Sequence, residues 1–209
     1  MAAEASSQYS SITVRLHSSW RRRIDRWSRE FALHVLFVCT GNICRSPIAE
    51  RLAAAYSAAC QVPGLTTSSA GTRAVIAHPI HPDAVLVLET LGGDVSNFAA
   101  RQLTSRIASD ADLVLTMTKV HRDAVLELAP RQLRRTFTLS EAARLASECT
   151  ARTVADLAAL RPHLAARDRS DIPDPIGQGA EFFAMVGSQI ADLLPPILEL
   201  CRRSQLAAD

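Results

Sequence analysis

The sequence of 209 residues is poor in lysine, in aromatic residues and in long apolar runs. Lysine occurs once, at Lys119, aromatic side chains make up 5% and the net charge is only +2. A charge this small gives no indication of a nucleic-acid partner. No apolar run approaches the roughly 20 residues of a membrane-spanning helix, and none precedes a small-residue cleavage site. We therefore expect a cytoplasmic protein.

Patterns typical of metal sites and of disulfide frameworks are missing as well. Five cysteines at irregular spacing do not make the framework of a small secreted protein, and their odd number indicates a reducing compartment. No Cys-x-x-Cys or Cys/His spacing resembles a zinc site. The Walker pattern GxxxxGK[ST] does not occur either. We expect neither a metal nor a cofactor.

The N-terminal part carries a basic amphipathic pattern. Between Leu16 and Phe31, apolar side chains recur every three or four residues, which predicts one helical stripe, and arginines cover the rest. Such a helix can dock on its own domain or on a partner protein. A basic helix with tryptophan can also bind an anionic membrane surface. The contact would be made by Trp20, Ile24 and Trp27.

From residue 34 onward, short apolar runs alternate with helical patterns. A run that is apolar throughout is typical of a strand buried on both faces, as in a parallel sheet. The alternation predicts an α/β fold, a mostly parallel sheet with helices on both faces. The predicted strands are residues 34–39, 65–70, 112–117 and 135–139. The predicted helices are 47–59, 82–91, 99–108, 120–128, 141–149, 153–166 and 179–194. Pro195-Pro196 predicts a break or a kink, after which residues 197–203 can resume the helix.

The loop after the first predicted strand carries the candidate chemistry. Ligands of such sheets bind beyond the carboxyl ends of the strands, where this loop lies. A turn with Gly41-Asn42 followed by a helix N-terminus points backbone N–H groups at one spot, which predicts an anion site of phosphate size. The residues predicted to bind phosphate are Thr40, Gly41, Asn42, Ile43, Cys44 and Ser46.

Cys39 and Arg45 stand at the two ends of this loop. The N–H donors and the helix dipole favour the thiolate of Cys39, a nucleophile aimed at phosphorus. Arg45 can bind two phosphate oxygens and stabilise the charge that develops during transfer. Ser46 can donate its hydroxyl to the thiolate or cap the helix. The alternative, a buried structural cysteine, does not explain the turn and the arginine at this offset.

The run VLFVCTGNICRSPIAE resembles the C-x5-R-S phosphate loop of the low-molecular-weight protein tyrosine phosphatases, bacterial members included. Similar motifs follow in the same order: SSAGT, ARQLT, DLVLTMT and DIPDP, and the resemblance covers about residues 35–203. It implies three layers with a four-stranded parallel sheet, the phosphate loop at the carboxyl end of the first strand, a phosphocysteine intermediate and no metal. The chain then divides into an extension, 1–33, a phosphatase domain, 34–204, and a tail, 205–209.

The resemblance also assigns the remaining roles. It places the general acid at Asp174, in the pair Asp174-Pro175, with Asp171 as a competitor that we interpret as a solvated turn residue. A positioned acid contributes about 10²–10⁴ in rate. A cysteine at the position of Cys44 can form a reversible disulfide with the nucleophile and so protect it from oxidation. The alternative for Cys44 is a small apolar filler.

Departures from the family bear on the substrate, expected to be a phosphorylated protein. Members often carry DPYY, with an aromatic side chain in the substrate slot, whereas this chain has Ile176-Gly177 after Asp174-Pro175. Protein-arginine phosphatases, the alternative, have threonine where this chain has Ile43. A branched apolar residue there favours an aromatic leaving group. We therefore predict phosphotyrosine.

Two further functions remain as rivals. A thioredoxin-coupled arsenate reductase shares the loop and the fold but needs a further pair of closely spaced cysteines, and Cys149 stands alone. A non-catalytic phosphate-binding or redox-sensing module would not need Cys39, Arg45 and Asp174 together. The segment 141–169 is longer than the usual connection of the family, which predicts extra helices there.

Overall fold

The computed structural model describes residues 33–62, 64–149, 151–164 and 170–206. In this part of the chain, strands and helices alternate. The strands are β1 Leu33–Cys39, β2 Leu65–Gly71, β3 Leu113–Thr116 and β4 Thr136–Thr138. The α-helices are α1 Arg45–Ala59, α2 Pro82–Leu91, α3 Ser105–Ser109, α4 Lys119–Leu128, α5 Leu139–Ser147, α6 Val154–Leu160 and α7 Ala180–Leu206. Short 3₁₀ turns span Pro130–Arg134 and Arg161–His163.

The four strands form one parallel sheet in the order β2-β1-β3-β4. The chain passes from β1 to β2 on one side and then returns to place β3 on the other side of β1. The reversal leaves a crevice at the carboxyl ends of β1 and β3, where ligands of open α/β sheets bind. Cys39, the last residue of β1, pairs with Gly71, the last residue of β2.

Helices cover both faces of the sheet, so that alternate residues of β1 are buried on opposite sides. Leu36 and Val38 belong to an apolar cluster with residues of α3 and α4. Val35 and Phe37 belong to the larger cluster, with residues of α1, α2, α5 and α7. The predicted three-layer α/β fold with a four-stranded parallel sheet is confirmed.

Threonine side chains begin the helices that follow β3 and β4. Thr118 precedes α4, and its hydroxyl oxygen accepts from the backbone N–H of His121 at 3.2 Å. Thr138 and Glu141 form a reciprocal capping box at the start of α5. These caps hold the first turns of α4 and α5 next to the carboxyl ends of the strands.

The predicted helix 99–108 is wrong in its first half, since only Ser105–Ser109 is helical. Ala100 instead exchanges backbone hydrogen bonds with the loop after β2, accepting from Ala77 at 2.8 Å and donating to His78 at 2.9 Å. Gln102 bridges to Gly71. Tertiary pairing of this backbone outweighs the helix propensity of its alanines.

Helix α7 continues through Pro195 and Pro196 instead of stopping there. Each proline removes one intrahelical hydrogen bond and destabilises the helix by about 3 kcal/mol or more. The last turns are nevertheless buried in the core through Ile197, Leu200 and Cys201, and apolar burial contributes roughly 1.5–3 kcal/mol per large side chain. Packing therefore explains why the chain is helical after the two prolines, as the continuation over residues 197–203 predicted.

By length and composition alone, α7 would also pass as a membrane span. Its apolar residues, however, pack on α1, α2 and α5. A helix of this length and apolar composition is also expected in the core of a folded domain.

Several predictions fall wholly or partly outside the described residues. They include the helix between Leu16 and Phe31, its contacts through Trp20, Ile24 and Trp27, and the end of the predicted helix 153–166. The predicted extra helices in 141–169 are present as α5, α6 and a 3₁₀ turn, as far as residue 164. Helix α7 reaches Leu206 and so includes the first two residues of the predicted tail.

Candidate active site

The phosphate-loop residues lie between β1 and α1 and are largely buried. Cys39 ends the strand at 2% exposure, and Arg45 begins the helix at 3%. The residue before the helix, Cys44, makes no side-chain cap. The first N–H groups of α1 therefore receive no side-chain acceptor from that position, which leaves the helix dipole directed at the loop.

Asn42 organises the loop from its centre. Its backbone φ is 56°, a left-handed conformation that asparagine tolerates better than most residues. Its amide nitrogen donates to Ser46 Oγ at 3.0 Å and to Ser69 Oγ at 2.8 Å, and its amide oxygen accepts from Arg101 N–H at 2.8 Å. Ser69 donates in turn to Glu50 Oε2 at 2.5 Å. Every polar atom of this buried side chain is bonded, so its orientation is fixed.

This network also orients the hydrogen-bond donors around Cys39. Ser46 Oγ lies 2.9 Å from Cys39 Sγ, and it already accepts from Asn42. Its own proton is therefore available to the sulfur. The backbone N–H of Asn42 also donates to Cys39 Sγ, at 3.3 Å. Two donors aimed at one sulfur stabilise a thiolate, which supports the donor role that the sequence indicated for Ser46. Ser46 does not precede the helix, since α1 begins at Arg45.

Backbone from the neighbouring loop supports the phosphate loop. The carbonyl oxygens of Cys39, Thr40 and Gly41 accept from residues 72, 73 and 75 at 2.9 to 3.0 Å. Gly71 makes this approach feasible, because a Cβ on it would lie 2.4 Å from Thr40 O and 3.0 Å from Asn42 N. The loop is thus held from behind by its carbonyl groups.

Arg45 connects the phosphate loop with the loop that carries Asp174. Its Nη1 donates to Ile172 O at 3.1 Å, and its Nη2 forms a short ion pair with Asp174 Oδ2. Its Nε is buried without a hydrogen-bond partner in the described part of the chain. The guanidinium of Arg45 thus contacts both loops, while its Nε–H is available to donate to a ligand.

Asp174 is the exposed member of the site, with 47% of its side chain accessible. Two contacts hold its loop to the carboxyl end of β3. Ile172 N–H donates to Met117 O at 2.9 Å, and the carboxylate of Asp171 accepts from Lys119 N–H at 2.9 Å. Asp171 is therefore exposed, which agrees with its interpretation as a solvated residue, and it is also bonded to the first residue of α4.

His121 is the residue of the site that the sequence interpretation missed. Its Nε2 lies 2.8 Å from Thr40 Oγ1 and its Nδ1 2.9 Å from Thr118 Oγ1. Burial, and then the charge of Arg45, lower the pKa of His121 to about 4. The available signal was its position, three residues after a capping threonine at the carboxyl end of a buried strand.

Exposed aliphatic side chains occur close in sequence to residues of the site. Val75, Ile76, Val120 and Ile176 are all exposed. Val75 donates its N–H to Gly41 O, and Ile176 donates its N–H to Asp174 Oδ1 at 3.2 Å, so both are next to catalytic loops. Ile43 and Val75 approach each other over Gly41. Exposed apolar side chains grouped near a site are typical of a binding surface.

Cys44 is buried, and burial followed by the nearby Cys39 raises the pKa of its thiol to about 12. No disulfide joins the five cysteines, all of which are in the described residues. A redox role for Cys44 stays a prediction. In the described residues, no group of three or more His, Cys, Asp or Glu side chains is arranged to hold a metal ion.

Known proteins share the sequence and the fold around this site. The family model of low molecular weight phosphotyrosine protein phosphatases matches residues 34–156. The phosphatase Wzb of Salmonella typhimurium is 40% identical over 96 residues, which are 46% of this chain and 61% of that protein. The match thus spans less than two thirds of the length of this relative.

Solved structures are similar over a larger share of the chain. A low molecular weight protein tyrosine phosphatase from T. tengcongensis is 30% identical, with a TM-score of 0.65 over 80% of this chain and 99% of that one. The arginine phosphatase YwlE of Geobacillus stearothermophilus is 28% identical, with a TM-score of 0.65 over 84% and 96% of the two chains. The chain belongs to the low molecular weight phosphotyrosine protein phosphatase family.

Proposed function

We propose that the protein is a protein-tyrosine phosphatase, a cysteine-dependent hydrolase of phosphomonoesters. The observation that carries this proposal is that Cys39, Arg45 and Asp174 meet at the carboxyl end of β1, with Arg45 bonded to Asp174. A nucleophile, a cation for the transferring group and a proton donor are what the reaction requires. These residues, and the loop residues 40–44 and 46, form the proposed site.

In the first step, the thiolate of Cys39 attacks phosphorus and forms an S–P bond while the P–O bond to the leaving group breaks. Asp174 gives its proton to the departing oxygen, so that an alcohol or phenol leaves. Loop N–H groups and Arg45 bind the other phosphate oxygens and stabilise the charge they carry.

In the second step, water attacks the phosphocysteine. Asp174, now a carboxylate, takes a proton from the water as the new P–O bond forms and the S–P bond breaks. Inorganic phosphate leaves, and the Cys39 thiolate is restored next to its two donors, Ser46 and Asn42. The cycle requires neither a metal nor a cofactor.

Hydrolysis of p-nitrophenyl phosphate tests this function directly. We expect turnover by the wild type and none above background by Cys39→Ser, because an alcohol is far less acidic than a thiol. Cys60→Ser is the matched control, since Cys60 is an exposed cysteine outside the site. Phosphate binding without turnover in the wild type would instead support a non-catalytic module and would refute the proposal.

The apolar environment of the loop supports phosphotyrosine as the substrate. Ile43 and Val75 pack beside Gly41, and Ile176 is exposed next to Asp174. Such apolar side chains can pack against the ring of a phenol. They offer no hydrogen-bond acceptor to the N–H groups of a guanidinium, which need one when they are buried. The structural similarity to an arginine phosphatase supports the alternative, phosphoarginine.

A side-by-side assay of phosphotyrosine and phosphoarginine peptides separates the two substrates. We expect a higher kcat/KM for phosphotyrosine, and a smaller ratio in Ile43→Thr, which places a hydroxyl at the wall. Val75→Ala is the control that alters the wall without adding a polar group. Faster turnover of phosphoarginine by the wild type would favour arginine phosphatase activity.

We further infer a cytoplasmic protein whose partners are phosphorylated proteins and do not include nucleic acid. The small net charge supports this inference. A contact of Trp20, Ile24 and Trp27 with a protein or a membrane surface, and the division of the chain at residues 33 and 204, remain predictions.

A further inference from the structure

The first turn of α4 contacts both catalytic loops. From this turn, His121 reaches Thr40 in the phosphate loop, with 2.8 Å between Nε2 and Oγ1. From the same turn, Lys119 N–H donates to Asp171 of the acid loop at 2.9 Å. Thr118 caps the turn and bonds to the ring of His121. Two loops that lie about 130 residues apart in sequence therefore share one short support.

Both ring nitrogens of His121 have a hydroxyl partner. With its pKa at about 4, the ring is neutral near pH 7, so one nitrogen donates and the other accepts. Thr118 Oγ1 also accepts from the backbone N–H of His121. In the tautomer with the hydrogen on Nε2, the ring donates to Thr40 Oγ1 and accepts from Thr118; in the other tautomer, both directions are reversed. Both hydroxyl contacts are made in either tautomer.

We propose that His121 is a positioning residue for the phosphate loop, which it holds through Thr40, and that the first turn of α4 thereby fixes this loop relative to the acid loop. The inference rests on the proposed function. The ring is 5% exposed and bonded at both nitrogens, so it fixes Thr40 with little freedom. Its effect on the reaction passes through Thr40 and the orientation of the loop N–H groups.

A double-mutant cycle between His121 and Thr40 tests this coupling. We expect His121→Ala and Thr40→Val each to lower kcat/KM for p-nitrophenyl phosphate about tenfold, since small displacements of reacting groups are costly. Because both changes remove the same contact, the double variant should also lose about tenfold and not about a hundredfold. The dissociation constant of inorganic phosphate, measured by calorimetry, should rise in parallel.

Two further variants separate positioning from general damage. His121→Gln keeps a donor near the position of Nε2 and should recover most of the lost activity and phosphate affinity. His163→Ala removes an exposed histidine from a 3₁₀ turn and should behave like the wild type. Thermal unfolding identifies any variant that fails to fold; if His121→Ala does, His121→Leu, which fills more of the space but has no ring nitrogen, replaces it in the cycle with Thr40→Val.

Losses that multiply to about a hundredfold would show that the two residues act independently and would overturn the proposal. The same holds if His121→Ala leaves kcat/KM and phosphate affinity within twofold of the wild type. A wild type that does not hydrolyse the substrate would refute the proposed function alone. The phosphate dissociation constants of the variants would still decide whether His121 positions the loop.

Discussion

The two loops of the proposed active site, the phosphate loop and the loop that carries Asp174 (the acid loop), are built in opposite ways. The phosphate loop consists of consecutive residues, is buried, and has its side chains bonded to one another and to nearby strands. The acid loop is exposed at Asp171 and Asp174, and three contacts hold it: Ile172 N–H donates to Met117 O, the Asp171 carboxylate accepts from Lys119 N–H, and Asp174 pairs with the side chain of Arg45. Asp174 reaches Arg45 from 129 residues further along the chain.

The difference fits the two tasks. Stabilising charge requires donors that are already in place, since reorganising them during the reaction would raise the barrier. Delivering a proton requires an acid that exchanges with water between cycles, so the exposure of Asp174 suits its role. We infer that the phosphate loop determines phosphate binding and the nucleophilicity of Cys39. The acid loop determines how fast substrates with poor leaving groups are hydrolysed.

The largest effect is expected at Arg45, where the two loops meet. Arg45→Ala removes the charge that stabilises the transferring group and both contacts to the acid loop, so kcat/KM should fall by about 10³ or more. Arg45→Lys keeps the positive charge but loses the paired N–H donors of the guanidinium, so its kcat/KM should lie between those of the wild type and Arg45→Ala. Steady-state assays with p-nitrophenyl phosphate measure both variants. An unimpaired Arg45→Lys would mean that the two-pronged contact is dispensable.

Asp174→Asn should separate the loops functionally. We expect kcat for phenyl phosphate to fall by about 10²–10⁴, because the leaving phenolate is not protonated, and a smaller loss with p-nitrophenyl phosphate. Affinity for inorganic phosphate should be retained. Asp123→Asn, at an exposed position of α4, is the control. If phenyl phosphate turnover were unchanged, Asp174 would not be the acid.

Asp171→Ala should weaken the acid loop alone. Without its bond to Lys119 N–H, Asp174 is less well placed, and turnover of phenyl phosphate should fall by up to about tenfold. Asp171→Asn keeps an acceptor oxygen and should lose less. Phosphate affinity should not change in either variant, and a loss of affinity would contradict the separation of the loops.

The smallest effect is a pH dependence of stability from His121. Its pKa is lowered from 6.5 to about 4, so between these values the unfolded chain binds a proton that the folded protein rejects. The free energy of unfolding should therefore decrease as the pH falls from 6.5 to 4, by at most about 3 kcal/mol. The charged groups that face the ring are Arg45, Asp174 and Asp171.

Chemical denaturation at several pH values tests this contribution. His121→Gln, which does not titrate, should show a flatter decrease than the wild type over this range. The difference between the two curves is the measured quantity, because all other titrating groups are common to both. Parallel curves would mean that His121 titrates alike in the folded and unfolded protein.

The same contrast separates what the sequence could predict from what it could not. The phosphate loop and the buried strands follow from local patterns, and both were predicted. Residues 99–104 depend on distant packing, and there the local helical pattern was wrong. The role of His121 and the bond from Asp171 to Lys119 N–H were not predicted, because their partners, Thr40 and the start of α4, come together only in the folded chain. Asp174 needed the family resemblance, since Asp-Pro alone is a turn signal.

Gly71 gives the site a weak point that has no side chain. It makes no contact with substrate in the proposed reaction, yet a single added methyl group would collide with Thr40 O. In a saturation-mutagenesis library, every substitution at Gly71 should therefore reduce activity as severely as substitutions of the nucleophile Cys39. Ranking such data by chemical role alone would mistake a steric requirement for a catalytic one.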